Sequence, residues 1–264
     1  MHTKKPLLFV LAALISFVVG AQNVNWAKLL EEVPHEQSSG RKAALDEKEA
    51  LWKQVDQMKG NDRVDCVRSL AAFCGDPAHR SSCSFYDFLR VLGEPSNPRI
   101  SFDELLTLYD DPNRLLRRIL LVWMKEGYLE GPLTSSQLLI MARKLDVDVM
   151  DVTNEEDLRQ AALKCNWQRV LPRLKAELAT AAPADKEIQL QLDQSTTNLH
   201  AILVKPNQSE KLVRQSLLVA RDARNADVFN EKNWDMLKEE FHKIAADETY
   251  GFEDRTLAQE LSNR

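Results

Sequence analysis

The sequence predicts an all-α, multi-helix secreted domain stapled by two disulfides. Apolar residues recur three and four positions apart through most of the 264 residues, as expected for amphipathic helices. The chain holds four cysteines behind a secretory-type N-terminus. Its eight glycines are few, which argues against architectures that depend on glycine at tight turns, such as phosphate-binding loops.

The N-terminus has the features of a cleavable signal peptide. Lys4 and Lys5 precede an apolar run over residues 6–19, and small residues lead to a cleavage site after Ala21. The alternative, a membrane anchor, is not favoured because a spanning helix takes about 20 apolar residues. No later stretch is long and apolar enough to span a membrane. We therefore expect a signal peptide at 1–21, no transmembrane segment in the mature chain, and an extracellular location, or a periplasmic one if the host is bacterial.

The net charge argues against one class of partner. Removal of the signal peptide takes away Lys4 and Lys5 and no acidic residue, so the formal charge goes from −5 to −7. Phosphate neutralisation dominates the affinity of proteins for nucleic acids. An acidic chain without a basic patch is therefore not expected to bind them.

The spacing of the cysteines excludes one of the possible disulfide bonds. Cys66 and Cys74 lie eight residues apart on one predicted helix, which separates their Cα atoms by about 12 Å. A disulfide tolerates about 7 Å, so these two do not pair. We favour Cys74–Cys83 together with Cys66–Cys165, and the crossed pairing, Cys66–Cys83 with Cys74–Cys165, stays open. A zinc site is not favoured, because no CxxC or HxxxH spacing accompanies the cysteines.

A helical N-terminal region is predicted over residues 22–181, which contains all four cysteines. Its helices are predicted at 41–59, 62–74 (N-cap Asp62), 83–92, 102–109, 113–126, 135–145 and 155–165 (N-cap Asn154). The run at 113–126 is apolar on most faces and is predicted to be the central buried helix. Pro172 predicts a kink or a fresh start within 167–181. The five tryptophans are spread along the chain, which is typical of core residues.

A helical C-terminal region is predicted over residues 182–264, with the linker-like stretch 181–185 at its start. The alternative is one continuous domain with the region before it. Residues 186–204 fit a 3–4 helical repeat, but EIQLQL and LHAILV would also form a strand–turn–strand pair. We favour the helix because its surroundings are helical. Further helices are predicted at 212–223 and 234–244. Asn207 begins an Asn-Gln-Ser sequon and is a possible glycosylation site, although Ser209 fits equally well as a helix N-cap.

Two twelve-residue stretches carry a family resemblance. GEPSNPRISFDE at 93–104 and EGYLEGPLTSSQ at 126–137 begin 33 residues apart, and Ile100 and Leu133 each fall at the eighth position. With the apolar runs that flank them, these stretches resemble a degenerate EF-hand pair covering about a quarter of the chain. The resemblance implies two helix–loop–helix units whose loops touch at the eighth positions.

The calcium ligands of that family are missing from both stretches. Calcium takes six to eight oxygens, including carboxylates early in the loop and a bidentate Glu at its twelfth position. Gly93 and Pro95 offer no side-chain oxygen, and Pro98 stands where glycine makes the turn. The second stretch places Tyr128 at the third position and neutral Gln137 at the twelfth. We therefore expect neither calcium nor any other metal or cofactor.

A third acidic stretch, DVDVMDVTNEED at 146–157, begins with Asp at its first and third positions. Met150 at the fifth position and Asp151 at the glycine position argue against calcium. We interpret Asp146, Asp148 and Asp151 as part of a connection, and the later carboxylates as favourable charges at the start of the next helix.

The sequence contains no recognisable catalytic motif. After the signal peptide it holds four histidines, His35, His79, His200 and His242, and none lies in a hydrolase, zinc-protease or phosphate-loop pattern. No catalytic residue is assigned.

The predicted function is therefore binding to another protein, whose identity the sequence leaves open. The aromatic residues around the first loop are candidates for a surface that holds a partner helix, with core packing as the alternative: Phe85, Tyr86, Phe88 and Phe102. One alternative function is a carrier with an apolar cavity along Leu115–Met124 and Leu138–Met141. Another is a hydrolase with an unrecognised carboxylate and His200 or His242.

Overall fold

A computed structural model describes residues 24–30, 39–180, 186–205 and 208–264. The predicted signal peptide, the linker-like stretch 181–185 and the possible glycosylation site Asn207 lie outside these ranges. The described residues are mostly helical, and their only strands are the two two-residue strands of one hairpin, which confirms the all-α class. It divides into two compact units, one ending at Ile119 and the other beginning at Leu120. The predicted division near residue 181 stays a prediction.

Unit 1 is built around a buried helix. Its elements are α1 (Trp26–Leu30), α2 (Ser39–Gln57), α3 (Asn61–Gly75), a 3-10 turn (Arg80–Ser82), α4 (Phe85–Leu92), β1 (Gly93–Glu94), β2 (Asn97–Pro98), α5 (Phe102–Tyr109) and the start of α6 (Arg114–Lys125). α3 packs against α4 and α5. Its core stripe, Val67 and Leu70, is completely buried, as is Leu105 on α5. This stripe follows the 3–4 spacing that predicted the helix.

Unit 2 holds the rest of the chain. Its elements are the end of α6, a 3-10 turn (Tyr128–Glu130), α7 (Ser135–Met150), α8 (Glu156–Cys165), a π turn (Asn166–Val170), α9 (Leu171–Thr180), α10 (Lys186–Val204), α11 (Glu210–Asn225), α12 (Glu231–Ala246) and α13 (Phe252–Ser262). Four aromatic rings pack in series in its core, with centroids 5.1–5.6 Å apart: Trp167, Phe229, Trp234 and Phe241. All five tryptophans of the chain are buried, as predicted.

Residues 186–204 form the single helix α10, so the prediction of a helix is confirmed and the hairpin alternative is wrong. Ile188, Leu192, Leu199 and Ile202 are all buried on one face of it. An alternating strand would have divided these residues between two faces, whereas a helix gathers them on one.

Pro172 lies within a helical run that is continuous over 156–180 and is interrupted by a π turn, so the predicted irregularity is present but no fresh helix starts there. Proline lacks an N–H, and in a regular helix its ring clashes with the carbonyl four residues earlier. The chain widens into the π turn Asn166–Val170 directly before α9, and Pro172 is the second residue of α9. The wider π turn therefore accommodates the proline inside a helical run that continues on both sides of it.

Two predicted N-caps are wrong. α3 begins at Asn61 after Gly60, so Asp62 lies inside the first turn. α8 begins after Glu155, while the Asn154 side chain donates to the Asp148 carbonyl at 3.2 Å. Ser209, by contrast, accepts a hydrogen bond from the Leu212 N–H at 3.1 Å and caps α11.

One of the two predicted disulfides is present. Cys74 and Cys83 are bonded, with their Cα atoms 5.7 Å apart, and they close the loop around the first 3-10 turn. Cys66 and Cys165 are free buried thiols, so the predicted Cys66–Cys165 bond is wrong, as is the crossed pairing. Each lies on the core side of its helix, where a free cysteine packs as a small apolar residue.

Among the described helices, none is both long enough and apolar enough to cross a membrane.

Candidate binding groove

A groove of about 290 Å³ opens beside the β1–β2 hairpin in unit 1. It is lined by Tyr86, Leu89, Arg90, Gly93, Glu94, Asn97 and Arg99. Three of these residues come from α4 and four from the hairpin and the residue after it. Four of the seven lining residues therefore belong to the stretch 93–104.

Two of the lining side chains, Tyr86 and Arg90, extend from the same face of α4. The Ser84 N–H donates to Asp87 Oδ2 at 2.7 Å, as part of a capping box that fixes where α4 begins. Tyr86 then falls in the first turn with 78% of its surface exposed. Arg90 follows four residues later and lies on the same helix face.

The hairpin holds the opposite wall in place. Gly93 pairs with Pro98 and Glu94 with Asn97, and the Arg99 N–H donates to the Leu92 carbonyl at 2.8 Å. Gly93 has φ +88°, a conformation that residues with a Cβ rarely adopt. The tight turn places Arg99 back beside α4.

The groove is bordered by guanidinium groups. Arg99 forms an ion pair with Asp56, and an Arg90 nitrogen lies 3.8 Å from the other oxygen of the same carboxylate. Arg90 also lies over the Trp52 ring, 4.2 Å from its centroid. Both ion pairs are partly exposed, so each arginine keeps a face directed to solvent.

A third arginine lies beneath the groove. Arg63 is buried and donates to backbone carbonyls, at 2.7 Å to Val91 and 2.9 Å to Met58. Burial lowers its pKa, and the charge of Arg99 lowers it further. A guanidinium nevertheless stays protonated in proteins. Arg90 and Arg99 thus share the Asp56 carboxylate, while Arg63 donates to the backbone carbonyl of Asp56 at 3.1 Å.

This arrangement is suited to binding rather than to covalent chemistry. A guanidinium presents parallel donors that match a carboxylate, and tyrosine and arginine are enriched among residues that dominate binding energy at protein interfaces. Glu94 on the lining would disfavour a ligand group of negative charge at its own end of the groove. Within the described ranges, no group of three or more His, Cys, Asp or Glu side chains is arranged to hold a metal.

The four aromatic residues predicted as a partner surface are not all accessible. Tyr86 lines the groove and Phe85 is half-buried, whereas Phe88 and Phe102 are only 2% and 8% exposed. The alternative of core packing therefore describes Phe88 and Phe102. Arg90 and Arg99 were not predicted; the signal was the i, i+4 spacing of Tyr86 and Arg90.

The twelfth residue of the same stretch has a structural role. The Ser101 N–H donates to Glu104 Oε2 at 2.6 Å, and the Glu104 N–H donates back to Ser101 Oγ at 3.2 Å. The carboxylate that an EF-hand would direct at calcium here closes the capping box of α5.

The residues proposed to line a carrier cavity are mostly core. Leu116, Leu120 and Leu138 are completely buried. Leu115 and Ile119 line a depression of about 250 Å³ beside the Cys74–Cys83 bond. Pockets for small molecules typically measure about 300–1,000 Å³, so this depression gives the carrier little support.

The histidines named for a hydrolase do not face a nucleophile. His200 Nε2 lies 3.8 Å from Glu240 Oε1, and that carboxylate also binds Lys243 Nζ at 2.6 Å. His242 is exposed. Among the described contacts, neither histidine meets a Ser, Thr or Cys hydroxyl or thiol.

Unit 2 contains a buried polar cluster that the sequence analysis missed. Asp146 and Asp148 lie within α7, so the prediction that they belong to a connection is wrong for both, and both are buried, with Asp146 6% exposed. Asp146 Oδ2 accepts hydrogen bonds from Ser195 Oγ at 2.6 Å and Gln191 Nε2 at 2.8 Å, and Oδ1 accepts one from Asn166 Nδ2 at 2.9 Å.

The ionisation of that cluster is perturbed. Burial raises the pKa of Asp146 to about 6, against the opposing effect of its hydrogen bonds. The signal in the sequence was position: Asp146 continues the stripe of Leu138, Ala142 and Leu145 on α7. The cluster is enclosed, so it offers no access to a substrate of any size.

Comparisons with protein-family models, curated proteins and solved structures give no match to this chain.

Proposed function

We propose that this chain is a secreted, non-enzymatic binding protein that holds a carboxylate-bearing segment of another protein in the groove beside the β1–β2 hairpin. The observation that carries the proposal is Tyr86, a large aromatic side chain 78% exposed at the edge of a groove bordered by Arg90 and Arg99. An exposed aromatic flanked by two arginines is the composition of a binding hot spot.

The chemistry of the groove favours a carboxylate as the group recognised. Asp56 already contacts both Arg90 and Arg99 from one side. Its geometry demonstrates that the two guanidinium groups can share one carboxylate, and their exposed faces offer further donors for a second. A peptide with Asp or Glu beside an apolar residue would place the acid on the arginines and the apolar group on Tyr86 and Leu89.

A secreted location is part of the same proposal. The N-terminal residues have the pattern of a signal peptide, and the Cys74–Cys83 bond fits a compartment that is oxidising.

The EF-hand-like origin of the groove is also proposed. It is supported by the order α4, loop, α5 and by Glu104 at the twelfth position of the loop. In this interpretation the loop has lost its cation and its surroundings have become a surface for an anionic group.

Selection from a random peptide display library tests the proposed function. The bait is the mature chain, and parallel selections use Tyr86→Ala and Phe252→Ala. Phe252 is the matched control, because it is an aromatic residue 75% exposed on α13 in the other unit. We expect the wild type and Phe252→Ala to enrich a common set of Asp- or Glu-containing peptides, and Tyr86→Ala to lose that set. Enrichment that survives in Tyr86→Ala, or none with the wild type, would overturn the proposal.

A further inference from the structure

Three segments of unit 2 meet at a single carboxylate. Asp146 comes from α7, Asn166 from the π turn, and Gln191 and Ser195 from α10. All three partners donate hydrogen bonds to Asp146 in the arrangement seen. That arrangement suits an ionised carboxylate, which only accepts hydrogen bonds.

The cluster also contains an acceptor that the ionised form does not use. Asn166 is completely buried, and its Oδ1 has no hydrogen-bond partner. Its Nδ2 donates to Asp146 and lies 3.5 Å from the Ala142 carbonyl. A buried polar atom without a partner costs free energy, so a state in which this oxygen accepts a hydrogen bond would gain from it.

A protonated Asp146 would use that acceptor. A neutral carboxyl group has one O–H to donate. If the Asn166 amide turned over, its Oδ1 would face Asp146 Oδ1 and accept this hydrogen bond. Oδ2 would keep its hydrogen bonds from Ser195 and Gln191. Protonation thus gives Asn166 Oδ1 a donor, while Asn166 Nδ2 turns to the side where Oδ1 had no partner.

We infer that Asp146 is a buried, reversible proton-binding site, and that the Asn166 side-chain amide reverses its orientation when the proton binds. The proton comes from solvent and is held on Asp146 Oδ1. No other bond forms or breaks. This site is independent of the groove in unit 1 and of the function proposed for it.

The neighbours of Asp146 do not supply a competing charge. Gln191, Ser195 and Asn198 of α10 and Asn166 of the π turn are neutral, and each bonds to the carboxylate. α9 supplies none of these hydrogen bonds.

Three ionisable groups near Asp146 either stay neutral or have partners of their own. At the end of α8, burial raises the pKa of Cys165 to about 12 and keeps it a thiol. On α7 itself, Arg143 pairs with Glu187, and Asp148 accepts a hydrogen bond from Asn154.

The sign of the effect on stability follows from the direction of the shift. Burial raises the pKa of Asp146 to about 6 in the folded protein, whereas Asp in an unfolded chain titrates near 3.9. The folded state therefore binds the proton more tightly than the unfolded state. The contribution of this group to stability is greatest below about pH 4 and is lost as the pH rises through about 6.

The variant Asp146→Asn tests the inference, because asparagine has nearly the same shape and is neutral at every pH. Equilibrium unfolding in urea is compared for wild type and Asp146→Asn between pH 4 and pH 8. His200→Gln is the control, since histidines titrate in the same window. We expect the wild type to become up to ~100-fold easier to unfold, relative to Asp146→Asn, as the pH rises across this range. His200→Gln should keep the wild-type dependence. Parallel pH profiles for wild type and Asp146→Asn would overturn the inference.

A measurement on the wild type avoids any folding defect of the variant. The carboxyl carbon resonance of Asp146 and the side-chain NH₂ resonances of Asn166 are followed by NMR from pH 8 to pH 4. Both should change with one midpoint near 6. A carboxyl resonance that stays that of an ionised group down to pH 4, or an Asn166 amide that does not respond, would contradict the proposed site.

Discussion

Gly93 decides the shape of the groove at the scale of a single residue. Its φ is +88°, and a Cβ added there would lie 2.5 Å from the Arg99 nitrogen and 2.8 Å from the Asn97 carbonyl oxygen. Only glycine fits both the backbone conformation and the space. The close approach that excludes a side chain also brings Arg99 back to α4, so one residue positions both the hairpin and a charged wall of the groove.

Replacing Gly93 by alanine should therefore destabilise the protein. We expect the free energy of unfolding to fall by about 1–3 kcal/mol, because the backbone must leave its conformation or strain it. Gly75→Ala is the matched control: it ends α3, and an added Cβ there meets nothing within 4 Å. Urea unfolding measures both. If Gly93→Ala matched the wild type, the turn would not depend on glycine.

The free cysteines give a second prediction at the residue scale. Burial raises the pKa of both Cys66 and Cys165 to about 12, so each stays a protonated, poorly nucleophilic thiol. The native, unreduced protein should react slowly with a thiol reagent, and the protein in denaturant should expose two reactive thiols per chain. If no reactive thiol were found in denaturant, Cys66 and Cys165 would be bonded to each other and this account would be wrong.

At the scale of the elements, side-chain caps determine where helices begin and which helices they join. Asn230 accepts a hydrogen bond from the Asn233 N–H at 2.8 Å and caps α12. Its Nδ2 also donates to Asp193 on α10 at 3.1 Å. One side chain thus both starts a helix and fastens it to a neighbour.

The variant Asn230→Ala removes the cap and the link together. We expect the free energy of unfolding to fall by about 1–2 kcal/mol. Gln194→Ala on α10 is the control, because that exposed side chain bonds only to Asn198 and should change stability by less than about 0.5 kcal/mol. Equal unfolding midpoints for the two variants in urea would contradict this role for Asn230.

The long helices could be predicted from sequence because their apolar residues repeat every three to four positions. α10 is the clearest example, since burial of Ile188 and Leu192 on one face satisfies the helical pattern and not the strand pattern. Short elements escaped this reasoning: each strand of the hairpin has two residues, too few to show any period. α13 was also missed, although Gly251 followed by Glu253 and Asp254 is a typical helix start.

Burial that depends on tertiary packing could not be predicted from the sequence. Asp146 reads as a solvated carboxylate, because nothing local states that Ser195 and Gln191, about 45 residues away, will surround it. Likewise, counting four cysteines suggested two bonds, whereas Cys66 and Cys165 pack as apolar residues. The groove depends on the return of Arg99 through the hairpin, which the sequence analysis did not contain.

At the scale of the whole molecule, the binding groove and the proton site lie in different units. Unit 1 carries the groove with Arg90 and Arg99 in its lining, in a chain of net charge −5. Unit 2 carries the proton site at Asp146, enclosed by helices. Because the groove is exposed and the proton site is buried, variants at Tyr86 and at Asp146 should act on different properties, binding and pH-dependent stability respectively.

The affinity of one enriched acidic peptide, measured by fluorescence anisotropy, tests the binding groove most directly. Tyr86 is largely exposed, so Tyr86→Ala should leave the fold unchanged. Phe252→Ala again serves as the matched control. The peptide should bind Tyr86→Ala at least tenfold more weakly than the wild type, a loss of about 1.4 kcal/mol, while Phe252→Ala binds as the wild type does. Equal affinity of the wild type and Tyr86→Ala would show that the groove is not where this protein binds its partner.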